Sequence, residues 1–248
     1  MKSIHPAIYL ILFFVFNFEC AKAQYETAIK LYDQKKYNEA WYEWKKLLDA
    51  GAKGESVYYN TANTYYQMHQ YPEAILYFNK ALKWNPNCND CKKNLKLAQK
   101  AAGVESFELP EFFISNWYKS ILLLLQPLVW ISIGIILVSI FIWLLFFKNE
   151  LNLRKQTPLI FYSFIILILT CFVLGFHREQ IRQKSDQLIL MESSGLYFSP
   201  DTLSESKQQL LPGQQLILKD QIRGWFKVQT PEFDLGWIEL NKVKKIQL

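Results

Sequence analysis

The run from Ile121 to Phe147 holds 27 residues without a charged side chain, and Leu159 to Phe176 holds 18 more. A helix rises about 1.5 Å per residue, so the first run exceeds the roughly 30 Å hydrocarbon core of a bilayer and the second is just long enough. Both runs are therefore expected to be transmembrane helices, spanning 121–147 and 158–176. Between them the loop 148–157 carries Lys148, Arg154 and Lys155 against Glu150, a short basic connection of the kind retained in the cytoplasm. Trp117, Tyr118 and Lys119 suit the headgroup layer, while Gln126 and Pro127 mark an interfacial first turn or a kink. Neither run contains an Asp, Glu, His, Lys or Arg, so they read as anchors or surfaces for partner helices rather than as a transport path or proton relay.

The remaining segments are assigned around these spans. Lys2 and His5 precede an apolar core, Ala7 to Phe18, broken only by Asn17, and Ala21-Lys22-Ala23 supplies a small-x-small cleavage site. Residues 1–23 are thus expected to be a cleaved signal peptide. Cys20 is a poor lipidation site because Asn17-Phe18-Glu19 lacks the small residues that lead into one. Export places the next segment outside the cytoplasm, the first span enters and the second returns. For a bacterial inner-membrane protein this puts both soluble modules on the periplasmic side. The acidic approach at Glu105, Glu108 and Glu111 agrees weakly, while Arg178, Arg182 and Lys184 lie against the charge rule. The 28 Lys and Arg exceed the 22 Asp and Glu, giving a net charge of +6. The basic residues flank the apolar runs and form no stripe interleaved with aromatics, so nucleic acid is not an expected partner.

Residues 24–104 repeat themselves. Tyr37 and Tyr71, Ala40 and Ala74, Trp44 and Phe78, and Ala28 and Ala62 are each 34 residues apart. That period, with Ala62, Tyr65, Ala74, Phe78, Ala81 and Pro86 in the second unit, resembles the tetratricopeptide repeat (TPR), a pair of antiparallel helices per unit. Units of about 21–54 and 55–88 are expected, then a solvating cap helix over 89–102 with Leu95 and Ala98 inward. The first unit is the weaker match, with Leu31 and Leu47 in place of the consensus Tyr and Ala. Such arrays bind extended peptides or partner helices on their concave side. The resemblance puts Tyr59, Asn60, Asn63 and Tyr66 in that groove, with Lys93 and Asn94 at similar positions on the cap. Asn pairs with a peptide backbone and Lys with a terminal carboxylate; the alternative is that these are ordinary solvated residues.

Cys88-Asn89-Asp90-Cys91 opens the cap helix, where a helix N-terminus favours thiolate, and in an exported segment a disulfide across the turn is expected. Haem attachment needs His where Lys92 stands. Zinc needs two further ligands, and His69 is the only His in the repeat region. A thioredoxin-like activity needs a βαβ context that this helical stretch lacks. A structural bridge or idle thiols is the main reading, and envelope thiol-redox chemistry is the alternative. Cys171, like Cys20, lies in an apolar run.

From Gln187 the pattern shifts to short β runs at Leu188–Met191, Gln215–Leu218, Trp225–Val228 and Gly236–Ile238, separated by turns at Ser199-Pro200-Asp201, Pro212-Gly213 and Arg223-Gly224. The segments Leu196-Tyr197-Phe198-Ser199-Pro200, Leu211-Pro212-Gly213, Gly224-Trp225-Phe226-Lys227-Val228 and Gly236-Trp237-Ile238 resemble bacterial SH3-like (SH3b) domains. The resemblance implies a five-stranded barrel over 187–248, with Trp225 and Trp237 filling its core and turns or, alternatively, meeting a ligand. Domains of that class often bind wall peptides or proteins, so peptidoglycan is a possible partner. Linkers fill 105–120 and 177–186.

The expected architecture is thus a multi-domain membrane protein: α-helical TPR array, two transmembrane helices and a small all-β barrel. That order resembles the BatE-like proteins of the Bacteroides aerotolerance (Bat) group. The resemblance implies a membrane-anchored scaffold working beside von Willebrand A-domain membrane proteins and a MoxR-type ATPase. No Ser/His/Asp set, phosphate-cradling loop or paired carboxylates stand out, so no enzyme, metal or cofactor is expected. The rival functions are thiol-redox chemistry at Cys88 and Cys91, and wall binding through the terminal domain.

Overall fold

The computed structural model describes residues 22–104, 113–147, 157–183 and 186–248. The signal-like segment before residue 22, the acidic stretch 105–112 and the basic loop 148–156 lie outside the described residues, and Cys20, Lys148, Arg154 and Lys155 lie outside with them. The chain divides into two compact units, Met1–Phe107 with Ser185–Leu248, and Glu108–Lys184.

In the first unit, helices α1 (22–33) and α2 (Tyr37–Asp49) form one hairpin, and α3 (Glu55–Gln67) and α4 (Tyr71–Trp84) form the next, followed by α5 (Asn89–Ala102). The 34-residue period extends to the backbone. Lys35 and His69 each turn their hairpin in the left-handed region at φ 60°. Lys36 N–H then donates to the Leu31 carbonyl at 2.9 Å, and Gln70 N–H to the Tyr65 carbonyl at 3.0 Å. Pro72 sits in the first turn of α4, where its missing N–H costs nothing. Asn85 leaves the helix in an extended conformation because Pro86 follows it. Gly103, at φ 70°, closes α5 with its N–H on the Gln99 and Lys100 carbonyls.

Small residues set how closely these helices approach. Ala28 and Ala40 are fully buried in the first hairpin around Trp44, as are Ala62 and Ala74 around Phe78 in the second. Tyr65 is partly buried and stacks on Tyr77 with ring centroids 5.4 Å apart.

The C-terminal region of this unit is a single antiparallel sheet of seven strands: β1 (Gln187–Leu190), β2 (Ser194–Tyr197), β3 (Ser206–Leu210), β4 (Gln215–Ile222), β5 (Trp225–Gln229), β6 (Leu235–Glu239) and β7 (Val243–Lys245), in the order β3-β2-β6-β5-β4-β1-β7. Five strands were expected. The additional ones are β3, whose Lys207, Gln208 and Gln209 carry no apolar run because it lies at an edge, and the three-residue β7 at the opposite edge. Leu188, Leu190, Leu196, Leu210, Leu216, Phe226, Val228 and Ile238 form the sheet's own core. Gly236 is required there. A Cβ on it would sit 2.5 Å from Leu196 Cγ and 2.9 Å from the Tyr197 carbonyl oxygen.

Array and sheet share a second core. Strand residues alternate faces, so β1 sends Leu188 and Leu190 into the sheet core and Ile189 to the other side. Ile189 and Ile246 are buried there among Ile75, Phe78 and Ala98, with Met191, Ala102 and Val104 beside them. The Gly213 turn, at φ 92°, brings backbone so close that a Cβ would lie 2.9 Å from Ile75 Cδ1. Lys83 Nζ donates to the Ile246 carbonyl at 2.8 Å. The cap of the array is therefore itself partly covered, by the terminal sheet.

In the second unit, α6 (Phe113–Leu124), α7 (Pro127–Phe147) and α8 (Thr157–Gln183) are helical. The long uncharged run is split. The chain leaves the helix after Leu124 and restarts at Pro127, because a proline restarts a helix more readily than it continues one. Helix α8 continues past Phe176, so Arg178 and Arg182 belong to it and not to a linker. α7 and α8 pack closely where Gly134 faces the Phe172 ring and Gly175 faces Ile131. Tyr118 Oη and His177 Nδ1, 2.5 Å apart, tie α6 to α8. Among the described residues, two helical segments, Pro127–Phe147 and Phe161–Gln183, are long and apolar enough to cross a membrane. Their outer faces expose Leu128, Ile136, Phe146, Ile166 and Phe176.

Candidate functional site

On the array, the first helices of the units and the cap enclose a pocket of about 300 Å³ lined by Tyr32, Tyr59, Asn63, Tyr66, Gln67, Asn94 and Leu97. Asn94 is its hub. Its Nδ2 donates to Asn63 Oδ1 at 2.9 Å and to the Tyr59 hydroxyl at 3.2 Å. Those two bonds use both amide protons of Asn94 and leave its carbonyl oxygen, with the Asn63 amide protons, for a ligand. Tyr32 keeps its phenol protonated above the usual range because burial disfavours the phenolate, an effect partly offset by its hydrogen bond with Gln67.

Of the six residues expected in the groove, Tyr59, Asn63, Tyr66 and Asn94 line this pocket. Asn60 does not: its Nδ2 donates to the Tyr25 hydroxyl at 3.0 Å, between α3 and α1. Lys93 lies outside it as well, exposed and 3.8 Å from Asp90 one turn back on its own helix. Tyr32, Gln67 and Leu97 are the residues the sequence reading omitted. Two of them had a signal, since Tyr32 stands 34 residues before Tyr66 and Leu97 stands 34 after Asn63.

Residues 56–88 match the tetratricopeptide repeat family. This segment is a TPR. It covers α3, α4 and the turn to Cys88, and so supplies Tyr59, Asn63, Tyr66 and Gln67 to the pocket, while α1 and α5 supply the rest from either side of the repeat. No curated protein matches the chain.

Two further places carry candidate chemistry. Cys88 and Cys91 form a disulfide at the start of α5, while Cys171 is a free, buried thiol in α8. The Cys88–Cys91 bridge is close to Glu55 at the start of α3: a carboxylate oxygen and the two sulfurs all lie within 4.8 Å of one another. Glu55 is a ligand-type side chain that the sequence reading missed, since 33 residues separate it from Cys88 and only helix pairing joins them. With the sulfurs bonded to each other, the three do not form a metal site in this state.

On the sheet, Trp225 and Trp237 are half-buried and alternate with the core residues Phe226, Val228 and Ile238, so they lie on the outer face rather than in the core. Tyr197 packs edge-on against Trp225 with centroids 5.6 Å apart, and pairs across strands with Trp237. Lys227 Nζ sits 5.9 Å from the centre of the Trp237 ring.

Proposed function

We propose that this protein is a membrane-anchored adaptor that holds a partner protein in the TPR pocket, without catalysis at that site. The observation that carries this is the Asn63–Asn94 pair. One amide offers donors and the other a carbonyl acceptor, the complement of a single peptide unit in an extended partner segment. Tyr32, Tyr59 and Tyr66 supply apolar walls at low cost in conformational entropy.

In this reading α7 and α8 cross the bacterial inner membrane as anchors, with the array and the sheet on the periplasmic side and the sheet an SH3-like module. The domain order supports a role in a Bat-type envelope complex, with von Willebrand A-domain membrane proteins and a MoxR-type ATPase system as partners. The test is crosslinking in intact cells, solubilisation, pull-down through a tag and mass spectrometry. Recovery of von Willebrand A-domain proteins, lost on Asn63→Ala with Tyr59→Ala, supports the adaptor. Recovery that ignores those changes removes the pocket from the proposal.

A second reading, wall binding, is favoured by the outward Tyr197, Trp225 and Trp237. Sedimentation of the full chain in detergent with peptidoglycan, compared with Trp225→Ala and Trp237→Ala, tests it. The isolated sheet is unsuitable for this assay, because cutting it away exposes Ile189 and Ile246 and invites non-specific adhesion.

A further inference from the structure

The two sulfurs of the Cys88–Cys91 bridge occupy unlike surroundings. Cys91 has no exposed surface and packs with Tyr58 and Ala81, next to Trp84 and Leu248. Cys88 is partly exposed and is the N-cap of α5, its Sγ accepting the Cys91 N–H at 3.1 Å. A thiolate released at Cys88 is thus met by a hydrogen-bond donor and by the positive end of a 14-residue helix. Cys91 has no such access to solvent, but a carboxylate oxygen of Glu55 lies within 4.8 Å of both sulfurs. Asn85 holds that carboxylate by donating to Oε2 at 2.6 Å. A bridge serving only as a staple needs neither the asymmetry nor the oriented carboxylate.

We propose that Cys88 and Cys91 form a thiol–disulfide exchange centre in which Cys88 meets the substrate and Glu55 takes the proton of Cys91; the substrate class is an accessible protein or peptide disulfide. Starting from the reduced pair, the Cys88 thiolate attacks one substrate sulfur. A Cys88–substrate disulfide forms, the substrate S–S bond breaks, and the first substrate sulfur leaves as thiolate. The Cys91 thiol then gives its proton to the Glu55 carboxylate, and its thiolate attacks Cys88 Sγ. The Cys88–Cys91 bond forms, the second substrate sulfur leaves, and the proton passes from Glu55 through solvent to a substrate thiolate. Two electrons have moved from the cysteine pair to the substrate. The reverse sequence, starting from the disulfide present in the structure, oxidises a substrate dithiol. This proposal is independent of the TPR pocket.

The test uses the full chain in detergent, reduced and then mixed with oxidised glutathione, with adducts placed by peptide mapping so that Cys20 and Cys171 are kept apart. In Cys91→Ser, a stable glutathione adduct is expected on Cys88; in Cys88→Ser, Cys91 is expected to stay unmodified. In Glu55→Gln, the mixed disulfide on Cys88 is expected to persist on the order of a hundredfold longer than in the wild type, with Glu55→Asp restoring part of the rate and the thermal midpoint unchanged. Brief reduction of the wild type followed by N-ethylmaleimide should label Cys88 before Cys91, a readout that needs no variant. Equal reactivity of the two sulfurs, or a lifetime indifferent to Glu55→Gln, overturns the proposal. So does stoichiometric zinc uptake by the reduced chain with no exchange, which would make the same three side chains a metal site instead.

Discussion

Asn94 donates to the Tyr59 hydroxyl at 3.2 Å, and one repeat earlier Asn60 donates to the Tyr25 hydroxyl at 3.0 Å. It is the same bond moved along the chain by 34 residues. Each joins the first helix of one unit to the next first helix, α1 to α3 and then α3 to α5. The surroundings differ, because only the second bond borders the pocket. Asn60→Ala and Asn94→Ala should each lower stability by about 1 kcal/mol per bond lost, measured by urea unfolding. Asn94→Ala alone should also reduce partner recovery after crosslinking. Equal loss of recovery in both variants would argue against the pocket.

Ile189 carries the junction between array and sheet, and Ile189→Ala should cost about 2–5 kcal/mol. Because its side chain packs on the array, hydrogen exchange should show lost protection in α4 and α5 as well as in β1. Loss confined to the strands would mean that the two modules fold separately.

Gly236→Ala should be among the most damaging single changes in the sheet. The added carbon meets Leu196 and the Tyr197 carbonyl at distances no native contact reaches. A cost of about 1–3 kcal/mol or more is expected from overpacking, and the near-ultraviolet signal of Trp225 and Trp237 should change with it.

Alkaline sensitivity should come partly from Tyr77. Burial, reinforced by Tyr65 and Tyr58, pushes its phenol up to about 12 from the ordinary 10.0. A raised folded value means that the folded state holds its proton more tightly than the unfolded state. The associated stability is complete below pH 10 and is lost as pH rises toward 12. Tyr77→Phe should therefore shrink the fall in urea midpoint over that window and change little at neutral pH. Lys80 works in the opposite sense. Burial, with Lys244, Lys53 and Lys83 nearby, lowers its pKa, so its contribution improves as pH climbs toward its ordinary 10.5.

The helical period, the small residues at helix crossings, the turn positions and the uncharged runs were all readable locally. Pro86 ends α4 and Gly103 ends α5 for reasons confined to a few neighbouring residues. The pocket was half readable, since Tyr59, Asn63, Tyr66 and Asn94 follow from the repeat, whereas the partner that turns Asn60 away is a tyrosine 35 residues earlier. The need for a second cover on β1 is itself local: Leu188-Ile189-Leu190-Met191 does not alternate with polar residues, and a strand apolar on both faces needs cover on both.

The repeat, its 34-residue spacing, two membrane-length helices and a β-rich C-terminal region each depend on periodicity or composition within a short window, and so are written locally in the chain. What lies between windows came from packing. It placed Glu55 beside Cys88 and Cys91, set the tryptophans on the outside of the sheet, and buried Ile189 and Ile246 against α4 and α5. Burial is a property of two surfaces meeting, and one strand's pattern states that a face must be covered without naming what covers it.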